Sequence, residues 1–234
     1  LIKPDNYIDL LIKELEDKES KVRSRATESL GMMGNEKAIE PLIKILSTDK
    51  DGCARLSAAG ALGKIGSEKA IDSLITSITK DQDIDVRWNA RWALGMIGNE
   101  KVLEGLVKVL TNYKEDEVRW NAACALGMTG SENAIVPLIK TLTTDKAGDV
   151  RKIAAEALAM IGSETVIKPI ISVFITEKVM GVRRSIVYAL GKIGTEAVIE
   201  PLIKILTTDK EDDVRASAGS ALGMIGSEKV IEPL

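Results

Sequence analysis

Apolar residues return along the whole chain with a period of 32 residues. Each copy contains two stretches whose apolar positions follow the spacing of one helical face, separated by short polar segments. The first stretch of one copy places Ala38, Ile39, Leu42, Ile43 and Leu46 on such a face. A continuous array of helix pairs is therefore predicted, with no sign of a strand.

One glycine and one arginine mark every copy of the repeat. The first helix is predicted to begin after the glycine, where Ser, Asn or Thr precedes an unvarying Glu. A side-chain oxygen followed by a carboxylate satisfies free backbone N–H groups and suits the positive end of the helix. The second helix is predicted to begin at the arginine. The markers are Gly34, Gly66, Gly98, Gly130, Gly162, Gly194 and Gly226, and Arg23, Arg55, Arg87, Arg119, Arg151, Arg183 and Arg215.

The second helix can be divided into arcs by counting about 100° per residue from its arginine. Positions −1, +3, +6, +7 and +10 are apolar and are predicted to face the core. Positions +4 and +8 are mostly Ala or Gly, which lets a neighbouring helix approach closely. Positions −2, +1, +2, +5 and +9 vary from copy to copy, so this arc is predicted to carry the binding specificity.

Composition removes several classes of function. The 234 residues contain 32 Lys and Arg, 35 Asp and Glu and no His, with a net charge of −3. Without imidazole the chain has no His-ligated metal and no His-dependent catalytic dyad or triad, so no cofactor is expected. Cys53 and Cys124 are predicted to be buried thiols. No apolar run approaches a membrane span, and a cytoplasmic protein without membrane association is expected.

The repeated sequence motif resembles that of a known family. The run Ala-Leu-Gly-Met-Ile-Gly-Ser-Glu-Lys-Val-Ile-Glu-Pro-Leu at 221–234 is similar to the short HEAT-like repeat named for phycobilisome lyase subunits. The resemblance covers the chain and implies an all-α fold, a right-handed α–α superhelix of about seven 32-residue helical hairpins. It therefore implies one solenoid over 1–234, with the second helices on its concave side.

The resemblance also implies a ladder of ion pairs between an acid that ends the first helix and the arginine that opens the second. Tyr113 replaces the acid in the fourth copy and is expected to interrupt the ladder there. The implied acids are Asp17, Asp49, Asp81, Asp145, Glu177 and Asp209.

All three tryptophans of the chain occupy the variable arc of two adjacent copies. Trp88, Trp92 and Trp120 are predicted to form one aromatic patch, because large aromatic side chains are typical anchors of binding surfaces. In an alternative arrangement the rings lie on one another and close the groove locally. Beside them Met96 and Met128 are predicted to add an adaptable apolar lining.

Polar residues accompany the aromatic patch. Asn89 and Asn121 are candidates for hydrogen bonds to the backbone of a partner, or equally for bonds between helices. In the C-terminal half a basic strip with one aromatic ring consists of Lys152, Arg184, Tyr188 and Lys192. This strip favours an acidic peptide or nucleic acid, but Glu156 interrupts it and nucleic acid is not expected.

We therefore expect a non-catalytic, macromolecule-binding scaffold with a protein or peptide partner on its concave face and the Trp patch as anchor. The alternatives are an accessory enzyme subunit similar to a bilin lyase subunit and a nucleic-acid-binding HEAT-like protein. The sequence stops within a predicted helix at 232–234 without a polar cap. A segment of a longer protein is expected, or end-to-end self-association through this C-terminus.

Overall fold

The computed structural model describes residues 4–226, and this part of the chain is all-α. It contains fourteen α-helices and no strand, which confirms the predicted fold class. The predicted uncapped end at 232–234 lies outside the described residues. The helices are α1 (Pro4–Glu14), α2 (Ser20–Met33), α3 (Ile39–Thr48), α4 (Gly52–Ile65), α5 (Ile71–Lys80), α6 (Ile84–Ile97), α7 (Glu100–Asn112), α8 (Asp116–Met128), α9 (Ile135–Thr144), α10 (Gly148–Ile161), α11 (Ile167–Thr176), α12 (Met180–Ile193), α13 (Ile199–Thr208) and α14 (Asp212–Ile225).

The chain forms two compact units, Leu1–Val109 (unit 1) and Leu110–Leu234 (unit 2). In unit 1, α3 packs on α4 and α5 on α6, while the second helices α2, α4 and α6 pack on one another in sequence. In unit 2, α9 packs on α10 and α13 on α14, and the second helices α8, α10, α12 and α14 form the corresponding row. The predicted 32-residue hairpin is thus present within each unit.

The repeating glycine ends the second helix in every copy. Its φ lies between +53° and +73° in all seven copies, the left-handed region that favours glycine. The next residue caps the following first helix: the side chain of Asn35 accepts a hydrogen bond of 2.9 Å from the backbone N–H of Lys37. Most first helices then begin with a 3₁₀ turn, such as Glu36–Ala38, that continues into the α-helix. The predicted caps are therefore confirmed at Asn35, Ser67, Ser131 and Ser163, whereas the side chain of Thr195 makes no capping hydrogen bond.

Adjacent second helices approach one another very closely at position +8. A Cβ atom added to Gly127 would lie 2.6 Å from the Cα atom of Ala157 in the next repeat, closer than two carbon atoms can pack. Gly63 faces Ala93 in the same way at 2.7 Å. The predicted arc of small residues is therefore the contact between repeats. The same close approach is found at Gly31 and Gly191.

The arc that faces solvent is narrower than the sequence predicted. In unit 2, Asn121, Ile153 and Ser185 at position +2 are only 3–6% exposed, although this position was placed on the variable outer arc. Position +2 lies next to the core arc, so neighbouring repeats cover it. The prediction that both cysteines are buried is wrong for Cys53, which is exposed, and holds for Cys124.

Bidentate ion pairs connect successive repeats. The Nε and Nη2 atoms of Arg119 donate hydrogen bonds of 2.7 and 2.9 Å to the two carboxylate oxygens of Asp145. Its Nη1 atom donates to the backbone carbonyls of Tyr113 and Lys114 at 3.2 and 2.7 Å. Arg119 thus holds its own loop and the acid of the following repeat, and Arg23, Arg55 and Arg151 do the same. The other bidentate pairs are Arg23–Asp49, Arg55–Asp81 and Arg151–Glu177. Arg183 binds Asp209 through its Nη2 atom alone.

The expected interruption at Tyr113 does not affect the arginine of the fourth copy. Arg119 needs only the backbone carbonyl of Tyr113, and it takes its carboxylate from Asp145. Ladder arginines take their carboxylate from the residue 26 positions later. Tyr113 therefore stands where the acid for Arg87 would be. Arg87 holds the carbonyls of its own loop, with 2.7 Å to the carbonyl oxygen of Asp81.

The ladder sets the pKa values of its carboxyl groups. Burial is the largest influence on the pKa of Asp145 and would raise it, because burial penalises the charged form. The hydrogen bonds from Arg119 and from the backbone N–H of Ala147 favour the charged form, so the pKa of Asp145 lies below its ordinary value. The same balance lowers the pKa values of Asp49, Asp81 and Glu177.

These lowered pKa values predict a loss of stability in acid. Ordinary carboxyl pKa values are about 3.9 for Asp and 4.3 for Glu, so at lower pH the unfolded chain binds more protons than the folded one. The stabilisation is therefore complete above these values and is lost as the pH falls through the lower pKa values of the folded protein. Urea unfolding followed by circular dichroism between pH 7 and pH 3 is expected to show this decline. Asp145→Asn should have a shallower pH dependence than the wild type, and equal slopes would contradict the assignment.

Candidate partner-binding face

In each unit, the side chains at positions +1, +5 and +9 of the second helices form a surface that we call the second-helix face. In unit 1 this face includes Trp88, which is 53% exposed, and Met96, which is 49% exposed. Both lie on α6, whose first turn is capped by Asp83 through a 2.9 Å hydrogen bond from the N–H of Asp85. An ordinary amphipathic helix thus presents large apolar side chains on its solvent side.

The remaining unit 1 candidates lie beside these side chains. Trp92 is one turn after Trp88 on α6 and is half-buried, and Asn89 is half-buried. Because Trp120 belongs to unit 2, the prediction that all three indoles form one patch stays a prediction.

In unit 2 the half-buried Trp120 lines a depression of about 350 Å³. Its walls come from the second helices of two successive repeats, α8 and α10. Acidic side chains surround the indole: Asp149 and Glu117 are exposed, and Glu156 is half-buried. The lining residues are Asp116, Glu117, Trp120, Asp149, Val150, Lys152, Ile153 and Glu156.

A second depression of about 630 Å³ continues along the same face. It shares Lys152 and Glu156 with the first depression and extends to Arg184 and Tyr188 on α12. Tyr188 is 43% exposed. The two depressions together are called the unit 2 groove. The second one is lined by Lys152, Glu156, Gly181, Arg184, Ser185, Tyr188, Ser217, Ser220 and Met224.

Hydrogen bonds orient two charged side chains of this groove. The Nε atom of Arg184 donates to the Oγ atom of Ser217 at 3.3 Å, and the Oγ atom of Ser185 donates to the Oε1 atom of Glu156 at 3.1 Å. Neither serine was predicted as a site residue. Only their repeat positions, one residue beyond the variable +1 position, could have indicated them.

The structure therefore brings together Lys152, Arg184 and Tyr188 of the predicted basic strip, with Lys192 beside them. The Nζ atom of Lys192 lies 5.8 Å from the centre of the Tyr188 ring. Asn121 is buried, and Met128 is half-buried. Asn121 is thus removed from the surface that a partner can reach.

Two further properties bear on the site. Among residues 4–226, no three His, Cys, Asp or Glu side chains are grouped so that they could hold a metal ion. In the same part of the chain, none of the helices combines the length and the apolar character that crossing a bilayer requires.

The hairpin repeat and its row of second helices define an α-helical repeat protein. The family model for HEAT repeats matches residues 8–94, 73–159, 135–223 and 181–234. The chain belongs to the HEAT repeat family. The resemblance of the 32-residue sequence motif to HEAT-like repeats is therefore confirmed.

Solved structures share this fold. YibA of Escherichia coli is 23% identical with a TM-score of 0.51, and the match covers 100% of this chain and 89% of that one. Kap95 in its complex with Nup1 is 14% identical with a TM-score of 0.66, covering 97% of this chain and 36% of that one. The CpcE–CpcF complex of phycocyanin lyase from Nostoc is 24% identical with a TM-score of 0.49, covering 96% and 91%. No curated protein sequence matches the chain significantly.

Proposed function

We propose that this protein is a non-catalytic scaffold that binds a protein or peptide along its second-helix face. Trp88, Trp92 and Trp120 act as anchors, and the charged side chains of the unit 2 groove orient the partner. The observation that carries the proposal is the 53% exposure of Trp88 on a helix that also exposes Met96. An exposed indole on the variable arc is typical of a binding hot spot, because such sites are enriched in Trp.

The free energy of binding depends on the apolar area that a partner covers. A Trp side chain carries about 150–250 Å² of surface, and about half of the Trp88 side chain is exposed. At about 25 cal/mol per Å², covering the exposed part contributes roughly 2–3 kcal/mol. Met96, two turns further along α6, adds a flexible apolar surface that adapts to the partner. A few such side chains suffice for a specific complex.

The carboxylates with lowered pKa values support a structural role over a catalytic one. Asp145 and Glu177 are held by ladder arginines, away from the unit 2 groove. The chain also contains no histidine that could act as a general base. The groove offers recognition groups, namely an indole, a phenol and charged side chains.

Selection of random dodecapeptides displayed on phage tests this proposal. Peptides enriched on the wild-type protein are synthesised, and their dissociation constants are measured by fluorescence anisotropy. Trp88→Ala and Trp120→Ala are expected to weaken binding by at least about tenfold each, because truncating an aromatic anchor costs more than about 1.4 kcal/mol. Both variants should keep the far-UV circular dichroism of the wild type.

Val136→Ala is the matched control. Val136 is a large apolar residue on the first helix α9 and is 76% exposed, so exposure alone would make it equally important. Its replacement should leave peptide binding unchanged. If the selected peptides bind the double variant Trp88→Ala/Trp120→Ala as tightly as the wild type, the proposed anchors are wrong.

A further inference from the structure

The unit 2 groove has two chemically different ends. We infer that it binds an extended peptide in one orientation, with an acidic side chain at Lys152 and Arg184 and a basic side chain at the Trp120 end. This inference rests on the proposed function and adds the charge pattern of the partner. The groove is continuous, because Lys152 and Glu156 line both of its depressions.

The basic end has cationic groups available for a carboxylate. Within residues 4–226, the Lys152 side chain makes no hydrogen bond or ion pair, and the Arg184 side chain is held only through its Nε atom by Ser217. The terminal nitrogens of Arg184 therefore remain for a bidentate bond to a carboxylate. Tyr188, 43% exposed, lines the same depression and offers a phenol group beside them.

The opposite end carries negative charge around an indole. Asp149 is exposed beside Trp120, and Glu156 stands half-buried between the two ends. A Lys or Arg side chain of the peptide can contact these carboxylates and lie over the indole ring, which attracts cations. Asp116 contributes less, since Arg119 already binds it at 2.7 Å.

This alternation of charge favours a peptide over a nucleic acid. A polynucleotide carries a phosphate at every nucleotide, so its backbone would have to pass Glu156 and Asp149 after leaving Arg184. A peptide can place one negative and one positive side chain where each is matched. The overall charge of −3 provides no general attraction for phosphates.

The repeat geometry sets the distance between the two charges. Trp120, Lys152 and Arg184 occupy position +1 in three successive repeats of unit 2. Packed helices are about 8–10 Å apart, and an extended chain rises about 3.3 Å per residue. Each repeat therefore corresponds to about three peptide residues. Because Arg184 lies two repeats from Trp120, an acidic side chain at Arg184 and a basic side chain at Trp120 should be five or six residues apart.

The test repeats the dodecapeptide selection with the charge-reversal variant Lys152→Glu/Arg184→Glu. Peptides enriched on the wild type should carry an acidic residue five or six positions from a basic one. These peptides should bind the variant at least about tenfold more weakly, and the variant should select peptides with a basic residue in place of the acidic one. Both outcomes follow only if the two cations face the peptide directly.

Lys140→Glu/Lys204→Glu serves as the control, since it changes the net charge by the same amount on exposed first-helix positions. An equal loss of binding in the control would overturn the inference, because net charge alone would then explain it. Selected peptides that depend on Trp120 but lack the acidic residue would also overturn it while leaving the proposed function intact. Tighter, Arg184-dependent binding of a labelled oligothymidylate than of the peptides would contradict both.

Discussion

Replacing Arg119 by methionine is expected to lower the free energy of unfolding by about 3–5 kcal/mol. The side chain of Arg119 is only 7% exposed and that of its partner Asp145 is 10% exposed. The substitution removes the two bonds to Asp145 and leaves its carboxylate largely buried without its guanidinium. The carbonyls of Tyr113 and Lys114 lose their donor as well. Urea denaturation at pH 7 measures the effect.

Arg215→Met is the matched control at the same repeat position. The side chain of Arg215 is 36% exposed, and its carboxylate partner Asp212 is 88% exposed. An exposed pair of this kind contributes less than about 1 kcal/mol. The double variant Arg119→Met/Asp145→Leu should recover part of the lost stability, because no buried charge then remains unmatched. Equal effects of the two single substitutions would show that the ladder does not stabilise the fold.

Gly127→Val is expected to have an effect of similar size by a different mechanism. The new Cβ atom would lie 2.6 Å from the Cα atom of Ala157, and backbone cannot move aside as a flexible side chain can. Separating α8 from α10 would open the contact along both helices. Overpacking of this kind costs about 1–3 kcal/mol for one added carbon and more for a branched side chain. Thermal unfolding followed by circular dichroism measures the change.

Two further glycine variants keep this prediction testable if Gly127→Val fails to fold. Gly127→Ala should fold and be less stable than the wild type. Gly60→Ala is the control, because Gly60 lies inside α4 and nothing lies within 4 Å of an added Cβ atom. Alanine in a helix interior is favoured over glycine by about 0.5–1 kcal/mol. If both alanine variants shift stability in the same direction, the close contact is not what requires glycine.

The repeat pattern was sufficient to predict the hairpins, but it was insufficient to predict the pairing of the ladder. Every copy except the fourth contains an acid 6 residues before its arginine, and the same acids from Asp49 onwards lie 26 residues after the arginine of the preceding copy. Identical spacing in each copy makes these two partners indistinguishable in the sequence. The structure shows that the later acid supplies the carboxylate and that the earlier loop supplies carbonyls, as at Arg151 with Glu177 and Asp145.

The sequence predicted the direction in which the side chains of the candidate site point, but not how far neighbouring side chains bury them. Counting angles placed Trp88, Lys152 and Arg184 on the outer arc, and all three are exposed. The same count placed Asn121 there, although it is 3% exposed. An angle around one helix gives the direction of a side chain, whereas the size of neighbouring side chains in adjacent repeats decides whether it is covered. The sequence of a single repeat does not contain that information.

Ladder arginines such as Arg119 and Arg151 bind an acid that lies 26 residues later in the chain, so these ion pairs can form only in the order of synthesis. During synthesis on the ribosome, a guanidinium emerges before the carboxylate that completes its ion pair. The acid of each newly released hairpin can therefore pair with the arginine of the preceding one, and order can spread in the direction of translation. In such a nascent chain, the most recent hairpin is the one whose arginine still lacks its carboxylate.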